Sequence, residues 1–564
     1  MSQAKRLDNK QPPVSNLQLR KADRMPIKRL RFISTVLQPY PEAVQKAPRR
    51  LAVDREAAFD IVREHKMKPI LGEQLVAETE VIYAGLVMVE AKCIEVDNKQ
   101  VDPASSPNLD NKQWQALIAL HRILLYEHYE FFLTSQHPLA SLELRRLASK
   151  YAMPARMWRH GIHSFLELLR RYLPASLDHM LAFIYFAYSM MGLLYETVPA
   201  FENTWIEYLG DLSRYRMLIE DDDIKDRDVW ARVSRHWYSK ASNISPGTGR
   251  LYHHLAILAR PNLLLQLFYF TKSLCVAVPF SSTPESILVL SEPILEANSG
   301  QGQYRLTPFE TSFVKIHSQL FTRNMNKFRS RVCEFLYLLY NRRATHKFLE
   351  QGYCIAISNI IAILGYGAQD NPLIIAIQDP PQDAYNSNTV SKIDEKAIYS
   401  QEALYLTTEV IKVVLKRAED PNILPFIHVT LVFMSYISRY HQVMQYVGTS
   451  FPWQPLVETL NLLLAAYTTC DRIEDCAFPL PVKGNILAED FALRGLTWVE
   501  GYYPLTWFLD DKQEEKRLEI ASTADMRKER ILWLACRIAD NRSWLFYDKE
   551  LRRFSTTFME VPPL

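Results

Sequence analysis

The chain has little glycine and few of the alternating patterns that form β-strands. Only 16 of its 564 residues are Gly, and long alternating Val/Ile/Thr runs are scarce. Hydrophobic residues make up 48% of the chain and aromatic residues 12%, which is enough to build a large buried core. The composition therefore argues against a sheet-rich fold and predicts an all-α protein.

The cysteine pattern of a disulfide framework is also missing. Seven cysteines, an odd number, are scattered along the chain and none forms a CxxC pair. Most lie in apolar helical context, which predicts reduced, buried thiols in a reducing compartment. No secretory signal is visible, and the best membrane candidates, residues 180–195 and 424–437, are short. We predict buried helices, no membrane partner, and a location in the nucleus and/or cytoplasm.

Common catalytic and cofactor motifs are absent from the sequence. It contains no HExxH, no Cys/His quartet, no GxSxG and no glycine-rich phosphate loop followed by Lys. The close histidine pairs, His160 with His163 and His253 with His254, have no carboxylate or cysteine at ligand spacing. We predict that the protein is not an enzyme and has neither a cofactor nor a metal site.

Positive charge is concentrated at the start of the chain. The formal net charge is +3, but residues 1–31 carry nine Lys/Arg against two acids. Because this segment mixes charge with Pro and has no periodicity, residues 1–70 are predicted to form a disordered basic arm. The arm can be a nuclear import signal, a nucleic-acid tether or a solvated tail.

From about Gly72 onward, apolar residues recur with helical spacing, and proline-containing stops separate the segments. The lengths are typical of helix-turn-helix repeats, and small and aromatic residues after Trp205 follow a tetratricopeptide-like spacing. A polar, Pro-rich insertion at about 365–392 predicts an exposed loop. We predict a helical array over residues 71–300 and a second helical domain over 301–564.

A basic stripe marks the helix predicted to start at Pro154. Its members are spaced three, four and seven residues apart, so an α-helix places them within about 40° of a common line. Glu167 lies beside this stripe and can neutralise part of it. The members are Arg156, Arg159, His163 and Arg170.

Another cation stands at Arg214, followed by Tyr215, on a helix further along the chain. If the two helices are neighbours, two or three cations and a Tyr hydroxyl can hold a phosphate by charge-assisted hydrogen bonds. Alternatively, Arg214 forms an ion pair with Asp211 one turn earlier, and the basic stripe is a solvated face. Spacing alone favours the ion pair.

Four segments around these residues resemble the Ever-Shorter-Telomeres/SMG family of telomerase-associated and nonsense-mediated mRNA decay proteins. They are WIEYLGDLSRYR (205–216), WYSKA (237–241), GRLYHHLAILA (249–259) and AVPF (277–280). The resemblance is strong over about 110–300 and closest to the fungal members. Some members carry a C-terminal PIN nuclease domain, for which the last residues here leave no room, so an adaptor is expected.

The resemblance implies a fold and a site. The fold would be a 14-3-3-like/tetratricopeptide-like helical array followed by a C-terminal α-helical hairpin domain. The family's phosphopeptide-binding Arg-Tyr falls on Arg214 and Tyr215, its Lys on His163, five residues after Trp158, and an additional 14-3-3 Arg on Arg170. A His in place of Lys is mostly neutral at pH 7 and would weaken phosphate binding. With the resemblance, the phosphate site becomes the preferred interpretation.

The predicted function is a non-catalytic adaptor in mRNA surveillance and decay or in telomere maintenance. Its partner would be a phosphorylated protein, either an RNA helicase or a telomerase-associated protein. The alternative is direct RNA or DNA binding through the basic arm and the basic groove around Arg156 and Arg159. Affinity would then fall steeply with salt.

Overall fold

The computed structural model describes most of the chain beyond residue 71. The described ranges are 72–101, 109–220, 223–296, 307–342, 347–378, 395–467, 471–480, 486–508, 521–541 and 543–556. The structure is 77% helical, which confirms the predicted all-α class. The predicted basic arm lies outside the described residues.

The chain divides into two compact units, residues 1–180 and 181–564. The predicted domain boundaries, at 70 and at 300, fall outside the described residues and stay predictions. The observed division lies within a helix, α5.

The first unit begins with two long helices. The elements up to the division are α1 (Gly72–Val101), α2 (Asn111–Ser135), α3 (Leu142–Lys150), α4 (Met153–Arg156, the π-helical segment Met157–His163, and Ser164–Arg171) and the start of α5 (Leu177–Thr197). Asp110 caps α2 through a reciprocal capping box with Gln113, and Ser141 caps α3. The predicted break before Pro154 is therefore confirmed, with Pro154 in the first turn of α4.

The second unit continues the series. Its helices are α6 (Glu202–Leu218), α7 (Ile224–Ile244), α8 (Gly249–Leu258), α9 (Leu263–Leu274), α10 (Thr283–Glu296), α11 (Pro308–Thr322), α12 (Phe328–Asn341), α13 (Lys347–Ile363), α14 (Pro372–Gln378), α15 (Glu395–Leu415), α16 (Leu424–Ile437), α17 (His441–Gly448), α18 (Trp453–Ala465), α19 (Asp471–Glu474), α20 (Ala488–Leu493) and α21 (Ala521–Ala539). Short 3₁₀ turns lie at Pro199–Phe201, Gly365–Gly367, Pro421–Ile423 and Thr497–Val499. An antiparallel hairpin follows, β1 (Leu545–Asp548) with β2 (Arg553–Thr556), in which Leu545 pairs with Thr556.

Helix α5 is long and apolar enough, by length and composition, to cross a membrane, and 39% of its most apolar window is buried within the protein. Its buried residues recur at helical spacing, for example Phe183, Ala187 and Leu194. The second candidate segment, α16, is almost wholly buried. The apolar character of α16 is therefore explained by its place in the core.

The main core of the second unit joins α9 and α13 to the helices that follow. Ile355, Ile361 and Phe433 are among its fully or almost fully buried members. Short connections make sequential helices neighbours: α6 packs along α7, and α8 along α9. The residues matched by the tetratricopeptide-like spacing therefore lie in stacked helix pairs.

A fully buried charge network also ties this core together. The Arg527 guanidinium binds both carboxylate oxygens of Glu489, at 2.6 and 2.9 Å, and Arg530 binds both oxygens of Asp490, at 2.8 and 2.9 Å. His428 on α16 lies 3.2 Å from Glu489. Because none of these groups reaches water, the pairs hold α16, α20 and α21 in one arrangement.

The predicted exposed loop at about 365–392 is wrong for its first part. Residues 365–378 form the 3₁₀ turn and α14, with Asn371 buried between them. The Asn371 side chain accepts from the N–H groups of Leu373 and Ile374, at 2.9 and 3.2 Å, and donates to Ile363 O at 3.1 Å. These side-chain hydrogen bonds take the place of water on the backbone groups of the turn, so its polar sequence does not require an exposed loop. Residues 379–394 lie outside the described residues.

Candidate functional site

Helix α6 places three charged residues on one face. Glu207, Asp211 and Arg214 are spaced four and three residues apart, so they stack on consecutive turns. Gly210, also on α6, makes room for the neighbouring helix: a Cβ at this position would lie 3.0 Å from the Tyr238 ring. The Tyr238 hydroxyl of α7 is thereby brought to the charged face.

The Arg214 guanidinium is held by two partners. Its Nη2 donates to Asp211 Oδ1 at 3.1 Å, and its Nε donates to the Tyr238 hydroxyl at 3.3 Å. The same hydroxyl donates to Asp211 Oδ1 at 2.6 Å. Arg214 keeps 21% of its side chain exposed, whereas that of Asp211 is 8% exposed. The ion pair expected as the alternative therefore forms, and the Arg214 side chain stays partly exposed.

Tyr215, the second residue of the family's Arg-Tyr pair, is buried. Its ring centroid lies 5.6 Å from the Arg214 guanidinium carbon, within cation–π range. Its ring therefore lies beside Arg214, and the expected role of its hydroxyl as a phosphate donor stays a prediction.

A second ion pair lies one turn earlier on α6. Arg250, at the start of α8, forms a hydrogen-bonded ion pair with Glu207. Burial raises the pKa of Glu207, although Arg250 opposes this. We call Glu207, Asp211, Arg214, Tyr238 and Arg250 the Arg214 cluster.

Two histidines of α8 lie beside this cluster without adding charge to it. The His254 ring stacks on Tyr238, with 4.8 Å between centroids, and burial lowers its pKa to about 3. His253 Nε2 lies 2.8 Å from Ser286 Oγ, and burial, with Arg214 nearby, lowers its pKa to about 4. Both rings are therefore neutral at pH 7, and the positive charge of the cluster comes from its two arginines.

The remaining predicted cations lie on α4, in the first unit. The Arg156 guanidinium donates two hydrogen bonds to the Glu90 carboxylate of α1, at 3.2 and 2.6 Å. His163 is exposed, and its ring lies 6.4 Å from that of Trp158. Arg170 pairs with Glu167 at 2.6 Å and stays 60% exposed, and Arg159 is exposed.

The single stripe predicted for α4 rests on an α-helical period that this segment does not have. The π-helical turn Met157–His163 is wider than an α-turn. Positions before and after it are therefore rotated relative to the prediction, and Arg156 faces α1 whereas Arg159 and Arg170 face solvent. The predicted convergence of His163 and Arg170 with Arg214 stays a prediction.

Sequence reasoning missed Glu207, Tyr238 and Arg250. Glu207 could have been found, because it lies seven residues before Arg214 and hence on the same helix face. Arg250 could not, because its partner is 43 residues away in the chain. Only the stacking of α8 against α6 brings the two together.

Helix α12 presents a different kind of surface. Tyr337 and Tyr340 are 70% and 61% exposed. On the same helix, the Arg329 guanidinium lies 3.5 Å from the centroid of the Tyr405 ring and pairs with Glu402. Arg417 donates to Leu339 O and Tyr340 O, at 2.6 and 2.8 Å. We call the exposed face formed by Arg329, Tyr337, Tyr340 and Arg417 the α12 surface.

A groove of 1610 Å³ lies next to the α12 surface, and Arg417 belongs to both. Residues of α15, α17 and α18 line it, among them Lys412, Lys416 and Tyr446. Among the described residues, no group of three His, Cys, Asp or Glu side chains is placed to hold a metal ion. Acidic residues line the groove as well, namely Glu409, Glu419, Asp420 and Glu458, so its lining is mixed in charge.

These features describe a helical-array protein that carries partly exposed arginines and exposed tyrosines. Residues 234–502 match the family model described as the Est1 DNA/RNA binding domain. The chain is 21% identical over 338 residues to EST/SMG-like protein 2 of Saccharomyces cerevisiae, an alignment that covers 55% of this chain and 28% of the yeast protein. It is also 33% identical over 85 residues to the nonsense-mediated mRNA decay factor SMG7 of Arabidopsis thaliana, over 14% of this chain and 8% of that protein.

A crystal structure of Est1 and Cdc13 has the same fold. It superimposes with a TM-score of 0.55 at 13% identity and covers 80% of this chain and 98% of the solved chain. The resemblance seen in the sequence is confirmed: the chain is similar to the Est1/SMG family over residues 234–502 and in its fold. The aligned part spans less than a third of the curated relatives named above.

Proposed function

We propose that the protein is a non-catalytic adaptor that binds a phosphorylated protein partner in mRNA surveillance and decay or in telomere maintenance. It would act in the nucleus and/or the cytoplasm. The observation that carries this proposal is Arg214, which stands where the family's phosphate-binding Arg falls and keeps 21% of its side chain exposed. Relatives named for nonsense-mediated mRNA decay support the cellular setting.

The chemistry of Arg214 suits this role. A guanidinium has five N–H donors in a planar fork, and the contacts with Asp211 and Tyr238 use two of them. A phosphate can therefore bind the remaining donors while Asp211 and Tyr238 keep the side chain in place. An arginine already fixed by such contacts loses less conformational entropy on binding than a free one.

Peptide binding tests the proposal. Synthetic phosphoserine-Gln peptides and their unphosphorylated counterparts are titrated against the full chain by fluorescence anisotropy. We expect binding that depends on the phosphate, and an Arg214→Gln variant weakened about 10- to 100-fold, the loss of one charge-assisted hydrogen bond of roughly 1.5–3 kcal/mol. Arg232→Gln, at an exposed position of α7, is the matched control. Equal affinity for the two peptide forms would contradict the proposal.

A second candidate function is direct binding of single-stranded RNA or DNA by the α12 surface. The observation that favours it is the exposure of Tyr337 and Tyr340 beside Arg417. Exposed aromatic rings next to cations are the elements on which bases stack while the backbone is neutralised. The matched family model, described as a DNA/RNA binding domain, spans these residues.

Substitution of both tyrosines distinguishes stacking from general attraction. Tyr337→Ala with Tyr340→Ala should weaken binding of a fluorescent oligonucleotide by roughly 1–3 kcal/mol per stacked base. The matched Phe pair should bind as the wild type does, because it keeps both rings. Lys416→Ala should instead lower the slope of log affinity against log salt by roughly 0.7. No binding even at low salt would remove this candidate.

A further inference from the structure

We propose that Arg250 is a second phosphate-binding guanidinium and that Glu207 is the internal carboxylate that the phosphate displaces. This inference rests on the proposed phosphoprotein-binding function and names a residue and an exchange within the same site. Arg250 would then act together with Arg214 on one phosphate or on a phosphate and the adjacent acidic side chain of the ligand.

The spacing of the two arginines supports a shared ligand. Their carboxylate partners, Glu207 and Asp211, lie one turn apart on α6, a rise of about 6 Å. The guanidinium groups are therefore anchored to neighbouring turns of one helix face. His254 experiences the charges of both Arg214 and Arg250, which places the two arginines around the same ring.

The two ion pairs differ in how easily they open. Arg214 is 21% exposed and is held by both Asp211 and Tyr238. Arg250 is 42% exposed, and its guanidinium pairs with Glu207, whose side chain is 19% exposed. The Arg250–Glu207 pair is therefore the one that a ligand from solvent can exchange, whereas Arg214 is the fixed anchor.

The exchange is favourable on charge grounds. At rest the cluster is neutral, with two guanidinium groups against two carboxylates. A phosphoserine carries about −1.5 to −2 charges and three acceptor oxygens, so it attracts Arg250 more strongly than a carboxylate with one charge does. Burial already disfavours the charged form of Glu207, so once Arg250 moves to the phosphate, Glu207 can take up a proton instead of remaining as a repelling anion.

Variants at the pair give opposite effects, which a purely structural contact would not. In the anisotropy assay with the phosphoserine-Gln peptide, Arg250→Ala should bind about 10-fold more weakly. Glu207→Gln should bind about 3- to 10-fold more tightly, because it leaves Arg250 without its internal competitor. In the double variant Glu207→Gln/Arg250→Ala the gain should vanish. Arg232→Ala is the control for loss of one positive charge, and far-UV circular dichroism checks the fold of each variant.

The outcomes separate this inference from the function on which it rests. If the wild type binds the phosphopeptide selectively but Arg250→Ala and Glu207→Gln both bind as the wild type does, Arg250 is not part of the site and the adaptor function stands. If Glu207→Gln weakens binding, Glu207 supports the site and does not compete with the ligand, and the exchange is overturned. If the wild type binds both peptide forms equally, the phosphoprotein-binding function fails and takes this inference with it.

Discussion

The buried charge network allows a quantitative test of what holds the second unit together. Glu489→Gln removes the charge that pairs with Arg527 while it keeps the size of the side chain. Arg527 is 1% exposed, so the variant leaves a buried guanidinium without its countercharge. Breaking such a pair from one side costs about 3–5 kcal/mol.

The pH dependence of stability is a second test of the same ion pair. Burial would raise the pKa of Glu489, but the hydrogen bond with His428 and the Arg527 guanidinium outweigh it and hold the pKa at about 2, against 4.5 for an ordinary Glu. Since the pKa is lowered in the folded state, the stabilisation is complete above pH 4.5 and is lost as the pH falls from 4.5 to 2. A difference of about 2.5 pKa units corresponds to roughly 3 kcal/mol.

Urea unfolding between pH 2 and 7, followed by circular dichroism, measures both effects, and hydrogen exchange in residues 521–541 localises them. Glu402→Gln, which breaks the exposed pair with Arg329, is the control and should cost less than about 1 kcal/mol. The double variant Glu489→Met/Arg527→Met should be far less destabilised than Glu489→Gln alone, because no buried charge remains. A loss below about 1 kcal/mol for Glu489→Gln, or a constant difference from the wild type between pH 4.5 and pH 2, would refute this reasoning.

Further substitutions test the fold and the site. Gly249→Ala should destabilise the chain by more than about 2 kcal/mol, because a Cβ would lie 2.4 Å from Ser273 O, whereas Gly192→Ala, with nothing within 4 Å, should stabilise it by up to about 1 kcal/mol; thermal unfolding that ranks them the other way would contradict the packing at Gly249. Arg156→Ala should cost about 1.5–3 kcal/mol in urea unfolding, because Glu90 loses its hydrogen-bonded partner, and Arg159→Ala should cost almost nothing. His163→Lys restores the family's residue and should tighten phosphopeptide binding several-fold; unchanged affinity would show that His163 is not part of the binding site. Asn371→Leu should cost about 2 kcal/mol, since the N–H groups of Leu373 and Ile374 lose their acceptor, and a neutral effect would show that water replaces it.

The helical spacing of apolar residues and the stop signals between segments were sufficient to predict the helices. The break before Pro154 and the stops between α6, α7, α8 and α9 are local features, in which a proline or a capping side chain ends or begins a helix whatever its neighbours are. The family resemblance likewise depends on local segments, and four segments within residues 205–280 carried it. The π-helical turn of α4 was not predicted, because no residue in Met157–His163 distinguishes it from an α-helix in sequence.

The sequence predicted the ion pair within one helix but not the ion pairs between distant segments. Arg214 with Asp211 is a pair within one helix, and the spacing of three residues was enough to expect it. Glu207 with Arg250, and Glu489 with Arg527, are separated by 43 and 38 residues and depend on which helices stack. Residues 365–378 were predicted as an exposed loop for the same reason. Their polar sequence resembles that of a solvated loop, but the buried Asn371 side chain makes hydrogen bonds with the backbone there.

The sequence by itself thus determined the all-α class, the helix start at Pro154 and the resemblance to the Est1/SMG family, because each depends on residues close together in the chain. The tertiary structure alone decided which arginines are neutralised and which face solvent. Arg527 and Arg530 are buried in ion pairs. Arg214 pairs with Asp211 but stays partly exposed, and Arg250 pairs with Glu207 and is more exposed. The physical reason is that the free energy of a charged side chain depends on its desolvation and on the nearest countercharge, and packing between distant helices sets both.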